Sequence, residues 1–452
     1  MQFSTIHEFI IKSALDFNPR SESYKAWVIN NPPSIVNFYL FNWTNAKDCV
    51  IYLNCTKFKF EEVGPYSFYE IKEKVNITWH PNNTISFKYV KRYYYANYEN
   101  STRKLSDLIT NVNPVAITLG HKMRYSSIFL KVSANLGLFS MTQLVITKTV
   151  EEFLFDGYED HILNTGSLID VNIPTRFGFF YKTNNTVNAH EMLMHYGLDE
   201  NFGKLLLLNG RNRTSYYPGE CGLVHGSSGE FLPLYSKRDY IEIFSAELCS
   251  TARLDYEKNV TVKGIHAYKY GSRSLFDNGT VHPENSCFCQ EECTPTGLQN
   301  VTLCKNLSPV FLSLPHFYNA DPYYLTNFEG LQPDKSKHEL YITLEPKSSI
   351  VLDLALRMQI NILLQPIKNL RLFQNVPKVF VPLFYFDQKI TLEDDILDRI
   401  RLVQSLPELA KICSVWIIIT GGVLIGVAIL LFVFVRQKKD DQSVELKKMS
   451  GL

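Results

Sequence analysis

The chain has 452 residues, 46 Lys+Arg against 45 Asp+Glu, and 45% hydrophobic and 13% aromatic residues. That length supports one large domain or two to three ordinary ones, and the composition excludes a disordered chain. A net charge of +1 excludes the basic footprint of a broad nucleic-acid binder.

At the amino end the best apolar run is Phe9-Ile10-Ile11, closed by Glu8 and Lys12. A signal peptide needs about 7–15 apolar residues. No export signal is visible, and the sequence reads as lacking its true start. Residues 63–68, Val-Gly-Pro-Tyr-Ser-Phe, read as a turn entering a strand, and residues 90–98 as a Tyr-rich strand. Helical character is assigned to residues 127–155 and 189–208. Further on, Leu352, Leu354, Leu356, Met358, Ile360 and Ile362 alternate with Asp353, Ala355, Arg357, Gln359 and Asn361, which predicts a long strand with one apolar face. No linker-like or low-complexity stretch interrupts this pattern. The expected fold class is α+β, mainly antiparallel β, with helices inserted in the first half.

Residues 413–435 contain no charge. As a helix they span about 35 Å, enough for a bilayer core of about 30 Å. Trp416 sits where an interfacial anchor belongs, and Arg436, Lys438 and Lys439 follow the other end, placing the tail in the cytoplasm by the positive-inside rule. The expected organisation is a juxtamembrane segment 1–30, an exported domain 31–411, a transmembrane helix 412–435 and a cytoplasmic tail 436–452. The membrane helix also offers a route to homo-oligomers.

Before the span, Asn-x-Ser/Thr acceptor sites stand at Asn42, Asn54, Asn76, Asn82, Asn100, Asn184, Asn212, Asn259, Asn278, Asn300 and Asn306. Chance supplies about four, and each used site must face solvent. Eight cysteines share this region: Cys49, Cys55, Cys221, Cys249, Cys287, Cys289, Cys293 and Cys304. An even count in an exported domain reads as disulfides. Cys287-Phe-Cys289-Gln-Glu-Glu-Cys293 lacks the paired spacing of a thiolate metal site, so no metal is expected. Cys49 and Cys55 are expected to bond to each other across a short hairpin. Cys413 is the odd thiol.

No catalytic constellation emerges, and no cofactor is expected. His190 and His195 are five apart, not the four that a zinc-protease helix requires. Gly226-Ser227-Ser228-Gly229 lacks the frame of a nucleophile elbow and reads as a flexible loop.

Several ordered motifs resemble the class B scavenger receptors, a family that includes fatty-acid translocase, the lysosomal integral membrane protein, croquemort and the sensory neuron membrane proteins. They are Ser21-Glu22-Ser23-Tyr24-Lys25-Ala26-Trp27, Asn31-Pro32-Pro33, Phe38-Tyr39-Leu40-Phe41-Asn42-Trp43-Thr44-Asn45 and Glu61-Glu62-Val63-Gly64-Pro65-Tyr66. Cys287-Phe-Cys289, Ser313-Leu314-Pro315-His316-Phe317 and Leu344-Glu345-Pro346 follow, so the likeness covers nearly the whole chain. It implies a glycosylated, barrel-like ectodomain crossed by an apolar tunnel under a helical cap, and a non-enzymatic receptor. Its partners would be lipids, fatty acids, lipoproteins or phosphatidylserine-bearing particles. It places the protein at the plasma membrane, with a lysosomal or endosomal membrane as the alternative. It also implies the pairs Cys221–Cys287, Cys249–Cys304 and Cys289–Cys293. The family's first membrane helix has no counterpart before Ser21.

The implied cap carries an apolar stretch, Ile128, Phe129, Leu130, Leu136, Leu138, Phe139, Met141 and Leu144, read either as helix core or as a greasy entrance. Lys122, Arg124, Lys131, Lys148 and Lys204 are read as cations that steer anionic head groups, or as scattered surface charge.

Overall fold

The computed structural model describes residues 12–449 and 451, except 14, 31, 51–55, 97–101, 290–292 and 393. Two compact units result: Asp16–Leu392, and Met1–Leu15 with Glu393–Leu452. The larger carries a main sheet of long antiparallel strands. These are β1 (Ser34–Trp43), β2 (Phe58–His80), β3 (Thr84–Tyr95), β4 (Met192–His195), β5 (Leu205–Leu208), β6 (Tyr240–Ser245), β7 (Ser250–Val262), β8 (Ile265–Gly271), β9 (Val310–Ser313), β10 (Tyr341–Leu344), β11 (Val351–Leu364) and β12 (Val379–Thr391). The strands run in the order β6-β7-β8-β10-β11-β12-β1-β2-β3-β4-β5, with β9 pairing beside β11. Aromatic and β-branched residues dominate β1 and β12, where they suit a pleated, buried surface.

The two end strands of this path are joined by one residue. Ser227 bridges Lys204 on one side and Ile243 on the other. The Ser227 amide donates to the Glu242 carbonyl at 2.8 Å, and the Phe244 amide donates to the Ser227 carbonyl at 2.8 Å. On the β5 side, the Leu205 amide donates to the Gly226 carbonyl at 2.8 Å. The sheet is thereby nearly closed into a barrel, and the Gly226–Gly229 stretch, expected to be a flexible loop, is its staple, with Ser227 fully buried.

The expectation of a helix over 189–208 is overturned. This stretch forms β4 and β5, because Met192 and Met194 alternate inward and pair opposite Phe87 and Ile85 of β3. His195 therefore ends β4, and His190 lies just before that strand. The Gly64–Pro65 pair lies within β2 rather than before a strand.

Helices are few and short in this unit: α1 (Glu22–Val28), α2 (Ala46–Val50), α3 (Pro114–Met123), α4 (Ile128–Leu136), α5 (His161–Ile169) and α6 (Lys335–His338). Asn113 caps α3, its side-chain oxygen accepting from the Val115 and Ala116 amides. Its side-chain nitrogen donates to Asp160, 2.9 Å away, and Asp160 in turn caps α5 at Ile162. One hydrogen-bonded pair thus fixes the starts of both helices. Within the expected helical stretch 127–155, only α4 and a single π turn at Glu152–Asp156 are helical; Val145–Thr149 is a strand.

The other unit is dominated by α7 (Asp394–Met449), which contains a stretch, Glu408–Val444, long and apolar enough to cross a membrane. Ile417, Leu424, Leu430 and Phe434 on it are exposed, as they would be toward lipid.

Ser227→Pro removes the amide that closes the barrel. We expect a loss of about 3 kcal/mol or more, read as a lowered thermal midpoint of the detergent-solubilised protein, and a midpoint unchanged from wild type would show that the staple does not hold the sheet.

Candidate ligand-binding site

Strand alternation fixes which residues point into the barrel. The register places Leu354 opposite Ile390, Leu356 opposite Gln388, and Met358 opposite Phe386. On the far wall Glu70 lies opposite Tyr93, Lys72 opposite Lys91, and Lys74 opposite Tyr89. Phe38, Phe68, Tyr93, Phe155 and Phe180 fill one region of the interior with edge-to-face and tilted aromatic contacts. Trp27, Phe87, Met192 and Met194 fill another.

Between them lies a charged girdle. Lys72 and Lys74 share one oxygen of Glu230, at 2.6 and 2.8 Å. Lys91 sits 3.6 Å from Glu70 and 3.5 Å from Glu247. Lys305 is held beside Glu247 by the Cys249–Cys304 disulfide, and its ammonium makes no ion pair or hydrogen bond among the described residues. Lys72, Lys74, Lys91 and Lys305 thus face Glu70, Glu230 and Glu247, an excess of one positive charge.

Burial works against every one of these charges. It pushes Lys74 down to about 8 despite Glu230, and it lowers Lys305, which only Glu247 counters. For Glu230 burial is outweighed by Lys72 and Lys74, so its carboxyl stays far below the usual carboxylate range. Glu247 is likewise held at about 2, chiefly by Lys91 and Lys305 against burial.

Accessibility varies along the girdle: Lys74 and Glu70 are buried, while Glu247 retains 47% of its side-chain surface. Leu356, on the inward face of β11, retains 36%. The inward face is apolar along β11 and β12 and charged along β2 and β3. Sequence reading missed the girdle, because in the run Ile71-Lys72-Glu73-Lys74-Val75 alternation assigns the charges to solvent.

The cap inverts the usual helix pattern. Lys131 and Ala134 are the buried residues of α4, while Phe129 and Leu136 are 77% and 76% exposed. Tyr125, Ile128 and Met141 are exposed as well. Exposed apolar surface of this kind is uncommon on a water-facing helix. Phe139 differs: it is buried edge-to-face against Phe373, 5.8 Å away, and Leu138 is partly buried.

The cationic expectations divide. Lys122 is exposed. Lys131 is corrected: it is 6% exposed and its ammonium donates to the Arg124 carbonyl at 2.7 Å, tethering α4 to the preceding turn. Arg124 lies over the Tyr125 ring and Lys148 over the Tyr158 ring. Lys204 is not in the cap; it precedes β5 and bonds Asn201 at 2.9 Å. Beyond α5, an open cavity of about 550 Å³ is lined by Ile173, Arg176, Phe177, Tyr181 and Lys182 among others.

On the outside of the barrel Glu62, His316 and His338 bring their ligand atoms within 4.8 Å of one another. The His316 Nδ1 accepts the Gln332 amide at 3.0 Å, and the His338 Nδ1 accepts the Asp334 amide at 2.9 Å. Each neutral ring therefore carries its proton on Nε2. The trio presents donors to a carboxylate, not the lone pairs a metal ion needs.

Among the cysteines, Cys221–Cys287, Cys249–Cys304 and Cys289–Cys293 are bonded. Cys49, on α2, is disulfide-bonded; Cys55 lies outside the described residues. Cys413 is free and exposed.

Residues 1–432 match the CD36 family. The chain is 34% identical to protein peste of Drosophila melanogaster over 90% of its length and 74% of that protein. It is 31% identical to scavenger receptor class B member 1 of Mus musculus, covering 85% of this chain and 76% of the relative. With lysosome membrane protein 2 of Homo sapiens it shares 28% identity over 84% and 80% of the two chains.

The acceptor asparagines differ in their surroundings. Asn76, Asn82, Asn212, Asn259 and Asn306 are exposed, Asn42 and Asn184 are half-buried, and Asn54 and Asn100 lie outside the described residues. The Asn278 side-chain nitrogen donates to the Thr294 and Leu298 carbonyls at 3.0 and 3.1 Å. Asn300 is buried, its side chain accepting from the Thr302 amide. Glycopeptide mapping should find the five exposed sites occupied and Asn278 and Asn300 bare; full occupancy at Asn278 would mean that its bonds form only in the unglycosylated chain.

Proposed function

The chain belongs to the CD36 family, and on that premise we propose that it is a membrane-anchored lipid receptor that takes an acidic, single-tailed amphiphile into its barrel. One observation carries this reading: the inward face is apolar at Leu354, Leu356 and Ile390 and cationic at Lys72 and Lys91, none of them fully buried, with Lys305 close to the Glu247 that pairs with Lys91. An apolar wall retains a hydrocarbon tail by removing it from water, at about 25 cal/mol per Å². The unpaired ammonium of Lys305 receives a carboxylate or phosphate that finds no equal partner in bulk water at this depth.

The cap supplies the docking surface. Phe129, Leu136 and Met141 contact the apolar face of a lipoprotein or bilayer, while Lys122 attracts its anionic head groups. No step of this reading requires catalysis. The ectodomain lies outside the cell and the tail inside, as Arg436, Lys438 and Lys439 beside the apolar stretch support.

A photoactivatable fatty acid should label peptides of β11 and β12. Lys305→Gln should weaken binding of the acidic lipid about tenfold, a change of about 1.4 kcal/mol, and leave an uncharged analogue unaffected. Labelling confined to the cap, or equal losses for both lipids, would refute the internal site.

A further inference from the structure

Part of the edge of β3 is covered by a loop. β4 pairs only with residues 84–87 of β3, and residues 184–188 take over further along. Val187 bridges Val90, the Asn188 amide donates to the Tyr89 carbonyl at 2.8 Å, and the Asn185 amide donates to the Lys91 carbonyl at 2.9 Å. The last of these contacts is made by a side chain: the Tyr93 amide donates to Asn184 Oδ1 at 3.0 Å.

Asn184 heads an Asn-Asn-Thr acceptor sequence. Its Nδ2 has no partner among the described residues, and although the residue is half-buried, that nitrogen stays open to solvent. On the inner side Tyr93 is packed against Phe38, Phe155 and Phe180, so the nitrogen opens toward the outer face. A glycan needs only that nitrogen. Nδ2 gives up one proton to solvent and bonds C1 of an N-acetylglucosamine, while the bond from C1 to its lipid-linked diphosphate carrier breaks. The amide keeps its oxygen, so the bond from Tyr93 survives and holds the sugar stem at the sheet edge.

A row of idle apolar side chains begins beside that stem. Tyr94 stands directly opposite Tyr69, Tyr69 opposite Ile35, and Ile35 opposite Lys389. Directly opposed residues share a face, so the four form one row across β3, β2, β1 and β12, about 14 Å long at about 4.8 Å per strand. The row is on the outside, because the alternate positions Phe38, Phe68 and Tyr93 point inward. Tyr94 is 53% exposed, and Tyr69 and Ile35 are each 38% exposed. Neither tyrosine makes a ring contact or a hydrogen bond among the described residues.

We infer that the row Tyr94–Tyr69–Ile35 is the seat of an N-glycan on Asn184, whose first sugars lie across the two tyrosine rings. The faces of an N-acetylglucosamine ring present C–H bonds, which suit the negative face of an aromatic ring. Its rim of hydroxyls and amide is left to water, to the tyrosine hydroxyls and to the exposed Lys389 at the end of the row. Covering the row takes apolar surface out of water without a further strand.

Two measurements on the intact protein in detergent test this. Removing glycans with an amidase in heavy-oxygen water turns each occupied asparagine into a mass-tagged aspartate, and the peptide holding Asn184 should carry the tag. Nitration of tyrosine rings by tetranitromethane, read peptide by peptide, should be at least about twofold faster at Tyr94 and Tyr69 in Thr186→Ala than in wild type, because the bulky cover is gone. Tyr323, 44% exposed elsewhere on the barrel, should not change. Thr186→Ala destroys the acceptor sequence and keeps the Asn184 oxygen. Should that variant fail to fold, wild type treated with the amidase before nitration gives the same comparison, since the aspartate left behind also keeps an acceptor for the Tyr93 amide. An untagged Asn184, or nitration of Tyr94 and Tyr69 that is the same with and without the glycan, would overturn the seat.

Discussion

Closure of the main sheet through Ser227 is the constraint on which the remaining features depend. An open sheet of this length would leave the edges of β5 and β6 unpaired, and unpaired edges template association. Two adjacent residues give each edge a partner: Ser227 bonds β6 through both of its main-chain groups, and the Gly226 carbonyl accepts the Leu205 amide of β5. Closure then turns one face of every strand away from bulk water, whatever residues alternate on it. Where those residues are Phe38, Phe68 and Phe155, the interior packs solid. Where they are Lys72, Lys74 and Lys91, the buried ammonium groups need carboxylate partners, which Glu230, Glu70 and Glu247 supply.

The girdle is therefore an energetic burden. Buried ion pairs seldom gain more from attraction than they lose on leaving water. Here Glu230 is shared by two lysines and Lys91 by two glutamates, so most of the charge is compensated. The remainder falls on Lys305, whose position is fixed by the Cys249–Cys304 bond rather than by a partner of its own. A fold optimised only for stability would replace such a lysine with an apolar residue. A lysine with no hydrogen bond or ion pair among the described residues is the kind of local inconsistency that sequences tend to keep at functional sites.

Much of this architecture was legible from residue periodicity. The alternation from Leu352 to Ile362 marks β11, and the uncharged run 413–435 marks the core of α7. Other parts were not legible, for physical reasons. Residues 189–208 mix apolar and polar positions too irregularly to separate helix from two short strands; only pairing with β3 decides. On β11 the polar positions Arg357, Gln359 and Asn361 read as a solvent face, yet all three are buried, because residues from the 314–340 segment and β9 cover them. Period-two patterning reports which residues share a face, not what lies against that face. Lys131 misled for a related reason: its charge implied exposure, while its long stem lets the ammonium reach the Arg124 carbonyl from a buried position.

Two departures from the ordinary distribution of polarity complement one another. On α4 the apolar side chains face out and a lysine faces in; inside the barrel the charges face in, beside leucines that remain accessible. Either inversion alone is destabilising, since exposed apolar surface and buried charge both carry a solvation cost. Together they match the two ends of one kind of molecule. An amphiphile has a tail that needs an apolar surface at every stage of its path and a head that needs an opposite charge once water is left behind. On the proposed reading, the exposed face of Phe129 and Leu136 meets the first need where a lipid particle arrives, and Leu356 meets it further in. On the same reading Lys305, beside Glu247, meets the second.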